Sequence, residues 1–177
     1  MFLHYFKKKG TEDKKIAELT YEKIVNNVNL FISSNSEILK KDINTTFEIT
    51  SIFLISIFFG SKFRKNKKDF LILQEVMNLF TADLDYSFRL CGIGDLNIGK
   101  NVKFYLKKFY FRVSNYEKIF NNSDIDSFIL FIYKLKIFHK SKNTKITIHN
   151  LYDVSNKLIK KSKNNSINLD FLSGLLN

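Results

Sequence analysis

The chain has 177 residues, 45% of them hydrophobic, which suits one domain with a proper core and excludes wholesale disorder. Its formal charge is +12, yet the basic residues are 26 Lys and only 3 Arg, an imbalance that points to coding bias as much as to an anionic partner. Cys91 alone can form no intramolecular disulfide, and no cysteine pair exists to clamp zinc, so a reducing compartment is expected.

In chain order, MFLHYFKKK places its apolar residues ahead of its positive ones and is too short for the apolar core of a secretory signal. Residues 1–12 read as a basic aromatic lead-in and 13–177 as a single helical domain. Tyr21, Ile24, Val25, Val28 and Phe31 recur at helical intervals until the SSNS run at 33–36, giving a first helix. A second helix starts from Asn44 or Thr45 as N-cap and is apolar nearly all round, with Gly60 and SKFRKNKK ending it. Its most apolar run, Ile49 to Phe59, falls short of the roughly 20 residues a membrane span requires, so a buried core helix is expected.

In a third helix Leu73, Met77, Phe80, Leu84, Phe88 and Cys91 advance in steps of three and four, and Gly92 follows where a left-handed cap belongs. Asp95 is placed to cap a fourth helix that runs to about Phe120. Val102, Tyr105, Leu106, Phe109, Val113 and Tyr116 share one of its faces, expected to be buried, while Lys100, Lys103 and Lys107 lie opposite. A fifth segment begins at Ser123 or Asp124 and extends to about Phe138; its FILFIY run could suit a strand, but no hairpin partner is visible and helix is favoured. Lys145 to His149 alternates like a strand, Leu151, Val154, Leu158 and Ile159 suggest a sixth helix, KSKNNSIN reads as a polar loop, and LDFLSGLL should dock on the body. The fold class is therefore all-α: one compact domain of about six main helices around a helix-turn-helix core.

No catalytic constellation appears. GDLNIGK, residues 94–100, fits G-x-x-x-x-G-K, but Asn101 lacks the hydroxyl a phosphate loop offers to magnesium, and a helix precedes the string where a strand should stand. Asp83 and Asp85 point about 200° apart on a helix and cannot converge on one ion. Asp85 instead stands four residues before Arg89, the favourable order for an ion pair. His4, His139 and His149 are scattered, so no enzyme, metal, cofactor or small-molecule substrate is expected.

Two features suggest binding. Phe104 and Phe111 project among Lys100, Lys103, Lys107 and Lys108, either covered by neighbouring helices or forming a sticky basic platform for an apolar client, a lipid surface or stacked bases. At the N-terminus Phe2, Leu3 and Phe6 before Lys7, Lys8 and Lys9 look like a weak, reversible membrane contact with anionic lipid.

The pattern D-x-D-x-x-x-R, x-x-G-x-G-D, x-x-x-x-K-x-x-K and F-Y-x-R falls on Asp83, Asp85, Arg89, Gly92, Gly94, Asp95, Lys100, Lys103, Phe109, Tyr110 and Arg112. It resembles the core motif of the ubiquinol-cytochrome c chaperone family. LTYEKIVNNV is similar to that family's opening helix, TTFEITSIFLISIFF to its buried second helix, and the closing LDFLSGLL also fits. The chain departs where Phe111 replaces a usual Gly and Thr46 a usual Arg, and in having no proline. The resemblance implies a non-enzymatic assembly factor that binds newly synthesised cytochrome b for ubiquinol-cytochrome c reductase, with a small partner protein and the ribosome as further contacts. It also suggests a short bacterial-type member, cytoplasmic and peripheral to the inner membrane. The matched polar residues Asp83, Asp85, Arg89, Gly92, Gly94, Asp95, Lys100, Lys103, Tyr110 and Arg112 become the candidate client- or partner-binding set. The competing reading is a helical RNA- or ribosome-binding module, favoured by nine Lys against Asp153 between Lys134 and Lys163.

Overall fold

Residues 12–172 are described by a computed structural model in which six helices follow one another: α1 (Glu12–Ser34), α2 (Ile43–Lys62), α3 (Lys67–Leu90), α4 (Asp95–Asn122), α5 (Ile125–Leu135) and α6 (Lys142–Asn164). The fold is all-α, as the periodicity predicts, and the described residues contain no strand beyond an isolated antiparallel bridge of Ile38 with Phe138. That bridge, with Leu39 N–H donating to the Ile137 carbonyl at 3.0 Å and His139 N–H to the Glu37 carbonyl at 2.7 Å, ties the α1–α2 link to the α5–α6 link. The lead-in residues Phe2, Leu3, Phe6, Lys7, Lys8 and Lys9 lie outside the described residues.

An all-round apolar helix needs neighbours on every side, and α2 has them: α1, α3, α4 and α6 all pack against it. With 20 residues it is long and apolar enough to cross a membrane, longer than its Ile49 to Phe59 run suggests, but most of it is buried inside the fold. It begins earlier than the sequence reading puts it, because Asp42 supplies the N-cap and accepts from Thr45 N–H at 2.8 Å; Asn44 and Thr45 are already helical. Nor does Gly60 stop it. Gly60 is a buried helical position where α6 crosses so closely that a Cβ would collide with Ser162 Oγ and the Ile159 carbonyl oxygen. Ser162 fits there because its hydroxyl folds back onto the Leu158 carbonyl at 2.8 Å.

The α3–α4 corner forms by the expected route. Gly92 is left-handed at φ +75, Gly92 N–H donates to the Arg89 carbonyl at 2.9 Å and Ile93 N–H to the Phe88 carbonyl at 3.1 Å, the paired bonds of a Schellman ending. This turn carries the chain outward, so Cys91 is exposed and does not extend the buried stripe that includes Phe80, Leu84 and Phe88. Gly94, not Asp95, is the N-cap of α4; Asp95 is already helical, and its carboxylate turns to Arg89.

Asp124 caps α5, which ends at Leu135, earlier than expected, because Lys136 adopts a left-handed conformation at φ 55. The strand-like run 145–149 is helical because Ser141 and Thr144 form a capping box that starts α6 upstream of it. Part of the polar tail is also helical, since α6 continues to Asn164. Phe171 and Leu172 are buried, the described part of the closing segment docking as expected.

Close approach at Gly60 gives a paired test. Gly60→Ala should lower stability by about 1–3 kcal/mol, because the carbonyl of Ile159 cannot move aside as a side chain can. Gly99→Ala, with open space around the α4 position, should raise it by up to about 1 kcal/mol. Urea unfolding followed by circular dichroism measures both, and equal shifts would contradict the assigned crossing.

Candidate functional site

The sequence makes Glu48 the only charged residue of α2 before its last turn, and the fold buries it to 2% exposure. A carboxylate in that position requires cations within the fold. Arg112 supplies a two-point pair, Nε to Oε2 and Nη2 to Oε1, both at 2.8 Å. One turn earlier on α4, Lys108 reaches Glu48 Oε1 at 3.1 Å and Asn44 Oδ1 at 2.8 Å, and lies over the Phe47 and Tyr105 rings at 5.1 and 4.9 Å. Arg112 also sits over Phe131 of α5 at 5.3 Å. Its pairing with Glu48 raises the guanidinium pKa against the opposing effect of burial. Burial, reinforced by the Glu48 charge, pushes the Tyr116 hydroxyl well above its ordinary value.

At the corner Arg89 bridges the two helices, donating to Asp85 at 2.7 Å and to Asp95 at 2.5 Å. These groups are solvated, so the geometry fixes the turn without contributing much energy. Asp83 lies outside this cluster and accepts from the Tyr21 hydroxyl at 2.8 Å, joining α1 to α3. Burial first, then the nearby Asp83 charge, raises the Tyr21 pKa and keeps it a donor.

The polar residues of the motif therefore divide in two. Asp83, Asp85, Arg89, Gly92, Gly94, Asp95 and Arg112 build the fold's joints, whereas Lys100, Lys103 and Tyr110 face outward. Lys108 and Glu48 belong to the joint although neither is a position of the Asp83–Arg112 motif. A lone carboxylate in an otherwise apolar stretch of helix was the signal that a buried cation partner was needed.

Of the six α4 residues expected to be buried, Phe109 and Tyr116 are, while Val102, Tyr105, Leu106 and Val113 remain partly open. Leu106 and Val113 are left open by a groove of about 900 Å³ between α3 and α4. Leu73 and Met77 line it from α3, Leu106, Phe109 and Val113 from α4, and Phe58 of α2 from below. Tyr110 stands on its rim, 64% exposed. Phe88 meets Tyr105 at 5.1 Å and Phe80 meets Phe109 at 5.7 Å between centroids, so aromatic contacts tie the same two helices together. Phe104 and Phe111 are not covered by neighbouring helices; they are 58% and 59% exposed. Among the described residues no group of three or more His, Cys, Asp or Glu could hold a metal ion.

If the Glu48 cluster seats α4, removing one partner should cost more than removing the pair. Arg112→Met should destabilise by about 3 kcal/mol, while Glu48→Leu combined with Arg112→Met should lose clearly less than the sum of the two single changes. A double-mutant cycle from urea unfolding measures this, and additive losses would contradict the coupling.

The family model described as ubiquinol-cytochrome C chaperone matches residues 38–129, just over half of the chain. The match takes in α2, α3, α4 and the start of α5, hence Glu48, the glycine corner and both walls of the groove; α1 and α6 lie outside it. No curated protein and no solved structure gives a significant match. On the family match and the helical core it spans, the chain belongs to the ubiquinol-cytochrome c chaperone family and takes a chaperone role toward the ubiquinol-cytochrome c complex.

Proposed function

We propose that the chain is a non-enzymatic holding chaperone that binds newly synthesised cytochrome b through the α3–α4 groove until the subunit enters ubiquinol-cytochrome c reductase. The observation that carries this reading is the groove itself: an open, mostly apolar furrow lined by Leu73, Met77, Leu106, Phe109 and Val113, inside the stretch matched to the family. A newly made membrane protein exposes apolar helices before they find their neighbours, and an amphipathic or apolar helix fits a furrow between two parallel walls. Met77 adds a side chain that adapts to unlike partners. Simple holding needs no nucleotide, so release follows when assembling subunits compete for the same apolar face.

Tyr110, Lys100 and Lys103 are the outward-facing members of the motif, and Tyr110 gives a client helix a polar handle at the groove's edge. Client transfer places the protein on the cytoplasmic side of the inner membrane, with a small partner protein and the ribosome as the expected neighbours during synthesis.

The groove reading is tested by substituting its walls. Met77→Glu together with Leu106→Glu, checked for unchanged helix content, should reduce copurified new cytochrome b by roughly tenfold, since two charges would enter the apolar contact. Deleting the chain should deplete assembled ubiquinol-cytochrome c reductase and spare other respiratory complexes. Unchanged copurification rejects the groove, and equal loss of all complexes rejects the dedicated role.

A further inference from the structure

α4 also has a long exposed face, distinct from the Glu48 joint and meeting the groove only at Tyr110. On a helical wheel, Leu96, Lys100, Lys103, Phe104, Lys107, Tyr110, Phe111 and Lys118 fall within one sector about 120° wide. All of them are exposed, from Leu96 at 92% downward. The sector runs for about 33 Å along one helix at 1.5 Å per residue. It contains no carboxylate: the two acids of α4, Asp95 and Glu117, lie off it, and each is held by a cation, Arg89 and Lys62 respectively. Lys100, Lys103, Lys107 and Lys118 enter no ion pair among the described residues.

We infer that this face is a docking surface for an anionic membrane, with α4 lying along the headgroups, Leu96, Phe104 and Phe111 inserted, and the four lysines contacting lipid phosphates. The pattern meets the physical requirements of an interfacial helix: a line of large apolar side chains flanked by lysines on successive turns from Lys100 to Lys107 and again at Lys118, with stems that can lie along the apolar strip while the ammonium groups reach outward. Charge complementarity separates this occupant from the others. A protein partner would have to place carboxylates against four lysines in a region where interface cores are depleted of charge. RNA stacking would use flat aromatic faces along a channel, whereas this face is convex, contains the aliphatic Leu96, and has its neighbouring arginines already paired, Arg112 with Glu48 and Arg89 with Asp85 and Asp95. Tyr110 belongs both to this sector and to the groove rim, so a docked α4 would hold the groove mouth beside the bilayer.

The test uses the purified full chain and vesicles of phosphatidylcholine, with or without phosphatidylglycerol. Because the protein has no tryptophan, Phe111→Trp provides a single reporter. The wild type should float with anionic vesicles and bind neutral ones about 100- to 1000-fold more weakly, as expected for three or four lysines near an anionic surface. The Trp emission should shift to the blue on anionic vesicles only. Lys100→Glu with Lys103→Glu and Lys107→Glu should abolish the Trp shift and lower the preference for anionic vesicles by at least about tenfold, and Phe104→Ser with Phe111→Ser should lower binding by at least about tenfold, all with wild-type circular dichroism. Phe2→Ser with Phe6→Ser should leave the Trp shift in place. An unshifted Trp, or α4 variants that bind as the wild type does, would overturn the inference. So would salt-sensitive RNA binding that the lysine reversals remove while vesicles leave the Trp unchanged.

Discussion

Glu48 is buried in the second turn of the central helix α2, and its charge can be tolerated there only if α4 brings cations to it. Arg112 and Lys108, one helical turn apart, do so, and their spacing fixes both the height and the rotation of α4 on the body. The Arg89 bridge at the glycine corner fixes the other end. Between these two anchors the rotation of α4 is decided: Phe109 and Tyr116 turn inward, Leu106 and Val113 toward the groove, and the lysine and phenylalanine sector outward.

This division explains how a chain without a catalytic cluster can carry a specific role. Most polar positions of the family motif are spent on joints, which keep two long helices at a set separation. The binding surfaces are then made by apolar side chains that the joints prevent from collapsing together. Leu73 and Val113 line opposite walls of the groove, while Phe88 against Tyr105 and Phe80 against Phe109 tie the two helices together and Phe58 of α2 lines the groove as well. A groove maintained in this way offers an apolar client a ready surface at little reorganisation cost.

The helices and the corner were legible in the sequence because period, glycine position and the Asp85–Arg89 spacing are local signals. Asp83 and Arg112 were visible as motif members, but their partners were not: Tyr21 lies 62 residues from Asp83 and Glu48 lies 64 from Arg112. Gly60 looked like a stop because a glycine before a basic run usually ends a helix; only the approach of α6 shows that its missing side chain is what matters. The groove was illegible for a related reason. Helical periodicity marks which side of α4 is apolar, but whether that side meets a neighbour or stands apart from it depends on the spacing of α3 and α4, which the distant Glu48 joint helps to set.

The most direct measurement of the central claim is site-specific photocrosslinking during synthesis, with a benzophenone side chain placed at Tyr110 on the groove rim, at Gln74 on the opposite wall, and at exposed Asn29 of α1. The account predicts adducts of newly made cytochrome b from Tyr110 and Gln74 and none from Asn29. Adducts from Asn29 alone, or none from either groove position while the protein still copurifies with cytochrome b, would contradict it.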